Sequence, residues 1–159
     1  IYVPLSERLG NAGTVLPENE LLAPENPETD ASGIDDKVIL YIEDNRSNQL
    51  LMKKLIGRLN SFTLMLASDA ESGIELAREV CPDVILMDIN LPGMNGIEAK
   101  LELGTTSDLA DIPVIAISTN AMLSDMNKAG HAGFTEYLTK PIQVEAIEDA
   151  LARALHSNN

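Results

Sequence analysis

The residues best suited to chemistry in this sequence are polar side chains that directly follow short strand-like runs. Glu43 and Asp44 follow the first run, Asp88 ends another, Ser118 closes the next, and Lys140 follows the last. Short apolar runs bounded by turn residues are typical of buried parallel strands. Because parallel strands end at one edge of their sheet, we expect these five side chains to converge there.

Three converging carboxylates repel one another strongly in a partly desolvated site. A hard divalent cation removes that conflict, and Mg²⁺ prefers oxygen ligands while keeping waters and a phosphate oxygen. The pattern therefore predicts Mg²⁺ beside a phosphoryl group, with Lys140 and the Ser118 hydroxyl on its oxygens. Asp88 is then the nucleophile that forms an aspartyl phosphate. Taken alone, Asp88 fits a loop-capping role equally well, since loops are rich in aspartate.

Strands and helices are expected to alternate along the chain from Lys37 onwards. Such alternation predicts right-handed crossovers and a parallel sheet that is covered on both faces. The predicted strands are 38–42, 62–67, 84–88, 113–118 and 133–139. The predicted helices are 46–59, a second one ending at about 80, 96–103, 120–129 and 143–156.

Local signals give more detailed expectations for the helices. Ser68 with Glu71 and Asn95 with Glu98 have the spacing of capping boxes, with the cap residue three positions before the glutamate. Cys81 is expected to be a small buried residue and not a reactive thiol. The inward positions are expected to be Leu51, Met52, Leu55 and Leu59 in the first helix, Ile74, Ala77 and Val80 or Cys81 in the second, and Val144, Ile147, Leu151 and Leu155 in the last.

The composition narrows the class of protein. The 159 residues are 45% hydrophobic, which allows one domain with an aliphatic core, because aromatic residues are only 3% and tryptophan is absent. A net charge of −14 argues against nucleic acid or an anionic membrane as a direct partner. The single cysteine fits a reducing cytosol, and we expect a cytoplasmic location. No signal peptide is recognisable, and the start at Ile1 suggests a piece of a longer chain.

Residues 1–36 have the composition of a linker. They contain eight acidic residues against one basic residue, with four prolines and three glycines. The alternation of Ile1, Val3 and Leu5 also fits the last strand of an upstream domain, and stray apolar residues in a tail explain it equally well. We therefore expect a linker over 1–36 and one folded domain over 37–159.

Four motifs in register resemble the receiver domain of two-component response regulators. They are VILYIEDN (38–45), VILMDINLPGMNG (84–96), VIAISTNAM (114–122) and EYLTKPI (136–142). The resemblance covers about residues 37–156. It implies a flavodoxin-like, doubly wound sheet of five parallel strands in the order 2-1-3-4-5 with five helices.

The resemblance also assigns roles to individual residues. Asp88 occupies the phosphoacceptor position, which would take its phosphoryl group from a phosphohistidine. Lys140 occupies the position of the family's invariant lysine. The implied Mg²⁺ ligands are Asp44 directly, Glu43 mainly through water, Asp88 and the backbone carbonyl of Asn90. Ser118 is the implied switch hydroxyl, and Tyr137 the implied switch aromatic, although Tyr137 also fits a half-buried core tyrosine. The Lys140–Pro141 peptide is expected to be cis.

Several positions depart from the common pattern of that family. Glu43 replaces the frequent aspartate, which leaves its exact metal contact open, and Ser118 replaces the commoner threonine. Thr119 stands where alanine is usual, so the loop beside the phosphate is expected to be more polar. Asn90 and Asn120 occupy the positions that tune dephosphorylation, and two amides predict slow hydrolysis because neither is a strong base.

Other functions remain open at this stage. An Asp-nucleophile, Mg²⁺-dependent phosphatase of the haloacid dehalogenase type would need an acid where Asn90 stands. A nucleotide-binding module would need a glycine-rich loop where Glu43 and Asp44 stand. A degenerate receiver that only binds partners is disfavoured by the intact Asp88, Asp44 and Lys140. Self-phosphorylation and slow dephosphorylation are the only catalysis expected of the chain itself.

The expected parent is a hybrid sensor histidine kinase with this receiver at its carboxyl terminus. IYVPL resembles the closing strand of a kinase ATP-binding domain, and SNQLLMKKL resembles receivers of hybrid kinases. A stand-alone response regulator is the alternative. The expected partner is a histidine kinase or a histidine phosphotransfer protein, and the partner-binding surface is expected to comprise residues 121–130, 133–138 and 143–155.

Overall fold

Five parallel strands form the centre of the fold. The computed structural model describes residues 36–120 and 133–157. The strands are β1 (Lys37–Ile42), β2 (Phe62–Ala67), β3 (Val84–Asp88), β4 (Val114–Ser118) and β5 (Glu136–Thr139). They lie in the order β2-β1-β3-β4-β5. The predicted fold class, a flavodoxin-like sheet in the order 2-1-3-4-5 with five helices, is confirmed.

The apolar character of the central strands follows from their double burial. Every residue of β3 and of β4 is buried, because helices cover both faces of a parallel sheet. β1 pairs with β3 from Ile39 opposite Val84, and β3 pairs with β4 up to Asp88 opposite Ile117. This register brings the carboxyl ends of the central strands to one edge.

Five helices flank the sheet in the described part of the chain. They are α1 (Arg46–Ile56), α2 (Ala70–Val80), α3 (Gly96–Leu103), the single turn α4 (Ser107–Ala110) and α5 (Val144–Ser157). α1 and α5 pack on one face of the sheet, where Met52 and Ile147 join the core. α2 and α3 pack on the other face, where Ile74 and Leu103 are buried. None of these helices has the length and apolar character needed to cross a bilayer.

Two predicted helix features need correction at α1. The helix ends at Ile56 and not at residue 59, because the N–H groups of Arg58 and Leu59 bond to carbonyls three residues back, which tightens the chain into a turn. Leu51 is 45% exposed and not inward, whereas Met52 and Leu55 are buried as predicted. The buried stripe of α1 therefore includes Ile56 in place of Leu51.

Two predictions about the ends of α2 are wrong. Asp69, and not Ser68, is the N-cap residue, since its carboxylate accepts a hydrogen bond of 2.7 Å from the N–H of Ser72. Cys81 is exposed and has a left-handed backbone (φ 46°), because it ends the helix. The predicted capping box of α3 is confirmed, with Asn95 and Glu98 bonding to each other's N–H groups.

Some predictions fall outside the described residues. These are the linker over residues 1–36, of which only residue 36 is described, and most of the helix expected over 120–129. The turn α4 was not predicted. β4 and β5 begin later than expected, at Val114 and Glu136.

Candidate functional site

Most of the predicted site residues lie at the carboxyl edge of the sheet, at the last residue of a strand or directly after it. Asp88 ends β3 and is 3% exposed, and Ser118 ends β4 and is 1% exposed. Glu43 follows β1 and Lys140 follows β5. β1 and β3 are neighbours whose connections run to opposite sides, and this is where α/β sheets of this type place their ligands.

Three carboxylates meet at this edge as the sequence predicted. One oxygen from each of Glu43, Asp44 and Asp88 lies within 4.8 Å of the others. Asp44 is exposed, whereas Glu43 and Asp88 are buried. The cluster is open to solvent on the Asp44 side, and its all-oxygen donor set suits a hard divalent cation.

Lys140 joins the two buried carboxylates. Its Nζ lies 2.8 Å from Oε2 of Glu43 and 3.1 Å from Oδ2 of Asp88. Burial lowers the pKa of Lys140, but the hydrogen bonds to Glu43 and Asp88 outweigh it and the pKa is raised. The backbone N–H of Lys140 bonds to the carbonyl of Ser118, and the Lys140–Pro141 peptide is cis as predicted.

The pKa values of Glu43 and Asp88 are shifted in opposite directions, although both carboxylates contact Lys140. Burial raises the pKa of Asp88, and the negative charge of Glu43 raises it further. Hydrogen bonds from the N–H of Asn90, at 2.9 Å, and from Lys140 lower this pKa, but the net shift is upward. Burial also raises the pKa of Glu43, but hydrogen bonds from Lys140, Asn45 and Tyr41 reverse the sign and hold it well below its usual range. Asp88 is therefore the less stabilised of the two anions.

Glu43 has donors that the sequence did not identify. The hydroxyl of Tyr41 donates to Oε2 at 2.9 Å, and the side-chain amide of Asn48 donates to the same oxygen at 3.0 Å. The N–H of Asn45 donates to Oε1 at 3.0 Å. The available signal was a tyrosine inside an apolar strand, two residues before an acid, because alternate strand residues share a face.

The residues expected to tune dephosphorylation form contacts at the opening of the site. The side-chain amide of Asn90 donates to Oγ1 of Thr119 at 3.3 Å. Oγ of Ser118 accepts a hydrogen bond of 3.0 Å from the N–H of Asn120. The loop after β4 is thus tied to the loop after β3 through polar side chains, which agrees with the expected polarity at Thr119.

Tyr137 lies apart from the carboxylate cluster. It pairs with Ala116 in the register of β4 and β5, and therefore lies on the same face as Ser118, two residues further along β4. Its ring contacts that of Phe134 edge-to-face, with centroids 5.6 Å apart. Burial raises the pKa of its hydroxyl. This half-buried position fits both predicted alternatives, the switch aromatic and the core tyrosine.

Comparison with known proteins gives a consistent result. The response regulator receiver domain family matches residues 39–152. The polar-differentiation response regulator DivK of Brucella ovis is 39% identical over 108 residues, which is 68% of this chain and 87% of that protein. DivK of Brucella anthropi is 38% identical over the same length.

Solved structures resemble this fold over most of the described chain. The receiver domain of sensor histidine kinase PA1611 from Pseudomonas aeruginosa PAO1, which has a magnesium ion coordinated in its active site cleft, has a TM-score of 0.70 at 29% identity. That match covers 76% of this chain and 98% of the other. Chemotaxis protein CheY4 of Vibrio cholerae, also at 0.70 but 22% identical, covers 76% of this chain and 99% of its own, and shows the fold alone.

Proposed function

Because the chain belongs to the response regulator receiver domain family of two-component signalling, we propose that Asp88 accepts a phosphoryl group from a phosphohistidine in a Mg²⁺-dependent reaction. Receiver domains act with histidine kinases or phosphotransfer proteins. The observation that carries the proposal is the position of Asp88, a buried carboxylate in contact with Lys140 and close to two further carboxylates.

The donor set fits a magnesium ion. Three carboxylates and one ammonium leave an excess of negative charge at the site, and carboxylate oxygens lie within 4.8 Å of one another. Asp44, Asp88 and the carbonyl of Asn90 would hold the ion, with Glu43 acting through water. The bound ion would neutralise charge on the transferred phosphoryl oxygens.

The transfer itself needs little covalent chemistry from the protein. One carboxylate oxygen of Asp88 attacks phosphorus, a P–O bond forms, the P–N bond of the donor phosphohistidine breaks, and its electron pair returns to the imidazole. Lys140 places a positive charge beside Asp88, where charge builds up on the phosphoryl oxygens. The N–H of Asn90 fixes the orientation of the Asp88 carboxylate.

Phosphorylation of Asp88 would change the shape of a partner-binding surface that lies away from Asp88. Ser118 would turn its hydroxyl toward the phosphoryl group and Tyr137 would rotate inward, which would change the surface of residues 133–138 and 143–155. Residues 121–130, the remaining part of the expected partner surface, lie outside the described residues. Asn90 and Asn120 would give slow dephosphorylation, because neither amide is a strong base.

A parent hybrid histidine kinase is the proposed context. Its support is the likeness to the PA1611 receiver domain, which is part of a sensor histidine kinase. The likeness to DivK, a response regulator, favours the alternative of a stand-alone regulator. The amino-acid sequence upstream of Ile1 decides between them, since a kinase ATP-binding domain is expected only in the first case.

A labelling experiment tests the phosphoacceptor. We expect acetyl phosphate with Mg²⁺ to add one phosphoryl group to the wild-type chain and none to Asp88→Asn, measured as intact mass. Asp108→Asn is a matched control, since Asp108 is exposed on α4. Labelling of Asp88→Asn, or labelling that is unchanged when EDTA removes Mg²⁺, would contradict the proposal.

A further inference from the structure

Three hydrogen-bond donors converge on a single carboxylate oxygen beneath the proposed phosphoacceptor. Oε2 of Glu43 receives Nζ of Lys140 at 2.8 Å, the hydroxyl of Tyr41 at 2.9 Å and the side-chain amide of Asn48 at 3.0 Å. Glu43 is 0% exposed. A buried carboxylate is costly unless it is fully hydrogen-bonded.

The additional donors to Glu43 allow Lys140 to leave it without leaving a buried carboxylate unsatisfied. An ammonium group has three N–H donors, and Lys140 places two of them on Glu43 and Asp88. If Lys140 were the main side-chain donor to Glu43, its departure would leave a buried carboxylate poorly satisfied. With Tyr41 and Asn48 bonded to the same oxygen, Glu43 stays satisfied when Lys140 moves.

Resting on the proposed phosphoacceptor function, we propose that Tyr41 and Asn48 are positioning residues for phosphoryl transfer. They hold the Glu43 carboxylate in place, so that the ammonium of Lys140 can shift from Glu43 to the incoming phosphoryl group while it remains beside Asp88. Neither side chain touches the phosphoryl group, and both act through Glu43 and Lys140.

The surroundings of Tyr41 fit this role. Tyr41 is fully buried in β1, and its ring packs in the core between the sheet and the α1–α5 layer. The rigid strand therefore fixes the position of the hydroxyl that anchors Glu43.

Lys140 lines a cavity together with both proposed positioning residues. A cavity of about 300 Å³ lies between α1 and the segment after β5, and Tyr41, Asn48 and Lys140 all line it. Its remaining lining residues are Leu51, Met52, Leu55, Pro141 and Ile142. The ammonium of Lys140 is held by its hydrogen bonds to Glu43 and Asp88.

A double-mutant cycle tests the inference. Tyr41→Phe removes one oxygen atom, and we expect it to slow phosphorylation by acetyl phosphate at saturating Mg²⁺ about tenfold, the effect of one hydrogen bond to a charged group. In the Glu43→Asp background the carboxylate is one methylene shorter and cannot keep the Tyr41 contact. Tyr41→Phe should then change the rate less than about twofold. Equal losses in both backgrounds, or no loss in the wild-type background, would overturn the inference.

A second variant and a spectroscopic measurement separate positioning from stability. Asn48→Ala should also slow phosphorylation, whereas Asn60→Ala, an exposed asparagine in the α1–β2 turn, should not. Addition of beryllofluoride with Mg²⁺ should shift the ε-methylene NMR signal of Lys140 in the wild-type chain, and shift it less in Tyr41→Phe. An equal shift in both, even with a lowered melting temperature, would show a structural role only and overturn the inference. A wild-type chain that takes no phosphoryl group contradicts the proposed function instead, and the NMR comparison still tests Tyr41.

Discussion

At the scale of single residues, the site is asymmetric around Lys140. The ammonium contacts both buried carboxylates. Within the described residues, Glu43 has three further donors and Asp88 has one, the N–H of Asn90. The pKa of Glu43 is therefore lowered by its hydrogen bonds, while burial leaves that of Asp88 raised. The less stabilised anion is the better nucleophile, which agrees with the role proposed for Asp88.

Replacement of Lys140 should show how it affects both the stability of the domain and the response of that stability to Mg²⁺. Lys140→Met leaves two buried carboxylates without their shared cation, and we expect unfolding without Mg²⁺ to become easier by about 2 kcal/mol. Because the site is then more negative, added Mg²⁺ should raise the melting temperature more than it does for wild type. Thermal unfolding in EDTA and in Mg²⁺ measures both effects.

An exposed lysine provides the control for that experiment. Lys54→Met, on the solvent side of α1, should change neither the stability in EDTA nor the response to Mg²⁺. A response of Lys140→Met to Mg²⁺ that is no larger than the wild-type response would contradict the electrostatic account of the site.

At the scale of elements, the starts of two helices fix local geometry. Gly96 opens α3 so close to β3 that a Cβ atom there would lie 2.5 Å from the carbonyl oxygen of Asp88. A side chain would therefore push α3 away from the phosphoacceptor. α2 begins one residue later than its sequence indicates, because Asp69 and not Ser68 accepts the hydrogen bond from Ser72.

The cap of α2 gives a stability prediction with a pH dependence. Asp69→Ala should destabilise the domain by about 1 kcal/mol at neutral pH, since it removes the N-cap. The hydrogen bonds from Ser72 lower the pKa of Asp69, so its contribution is complete above the ordinary aspartate value and is lost as pH falls through the lowered one. The difference between variant and wild type should therefore shrink below about pH 4.

Ser68→Ala distinguishes the two possible caps. Chemical denaturation at neutral pH should show a much smaller loss of stability for this variant than for Asp69→Ala. Among the described residues, the hydroxyl of Ser68 has one side-chain hydrogen bond, a long one of 3.4 Å from the amide of Gln49. A larger loss for Ser68→Ala would mean that Ser68 caps the helix in solution.

At the scale of the whole molecule, the sheet links the phosphoacceptor to a distant surface. Ser118 and Tyr137 lie on one face of neighbouring strands, and β5 forms the edge of the sheet. In the proposed switch, a charge added at Asp88 would favour a second arrangement of β4 and β5, while β1 and β3 keep theirs. The size of such a shift is limited by how differently the two arrangements bind the phosphoryl group.

This coupling can be measured with a phosphoryl mimic. Beryllofluoride with Mg²⁺ should shift amide NMR signals at residues 133–138 in the wild-type chain as well as those around Asp88. Ser118→Ala should keep the shifts around Asp88 and lose those at 133–138, because it removes the hydroxyl proposed to follow the phosphoryl group. Wild-type shifts confined to the surroundings of Asp88 would contradict the roles proposed for Ser118 and Tyr137.

The sequence by itself indicated the five strands and the residues at their carboxyl ends, and its family resemblance supplied the strand order. Short unbroken apolar runs between turn residues are typical of strands in a doubly covered sheet, and parallel topology then brings Asp88, Asp44 and Lys140 to one edge. The capping box at Asn95 was also predictable, because both of its partners lie within four residues.

Only the tertiary structure decided which atoms satisfy Glu43, which residue caps α2, and that Leu51 and Cys81 are exposed. Lys140 bonds to Glu43 across 97 positions of the sequence. Strand alternation places Tyr41 on the same face as Glu43, but it does not indicate that Tyr41 and Asn48 bond to the same oxygen. Periodicity indicates the face on which a side chain lies. The atoms that meet it there come from other elements, and their positions follow from how the helices pack on the sheet.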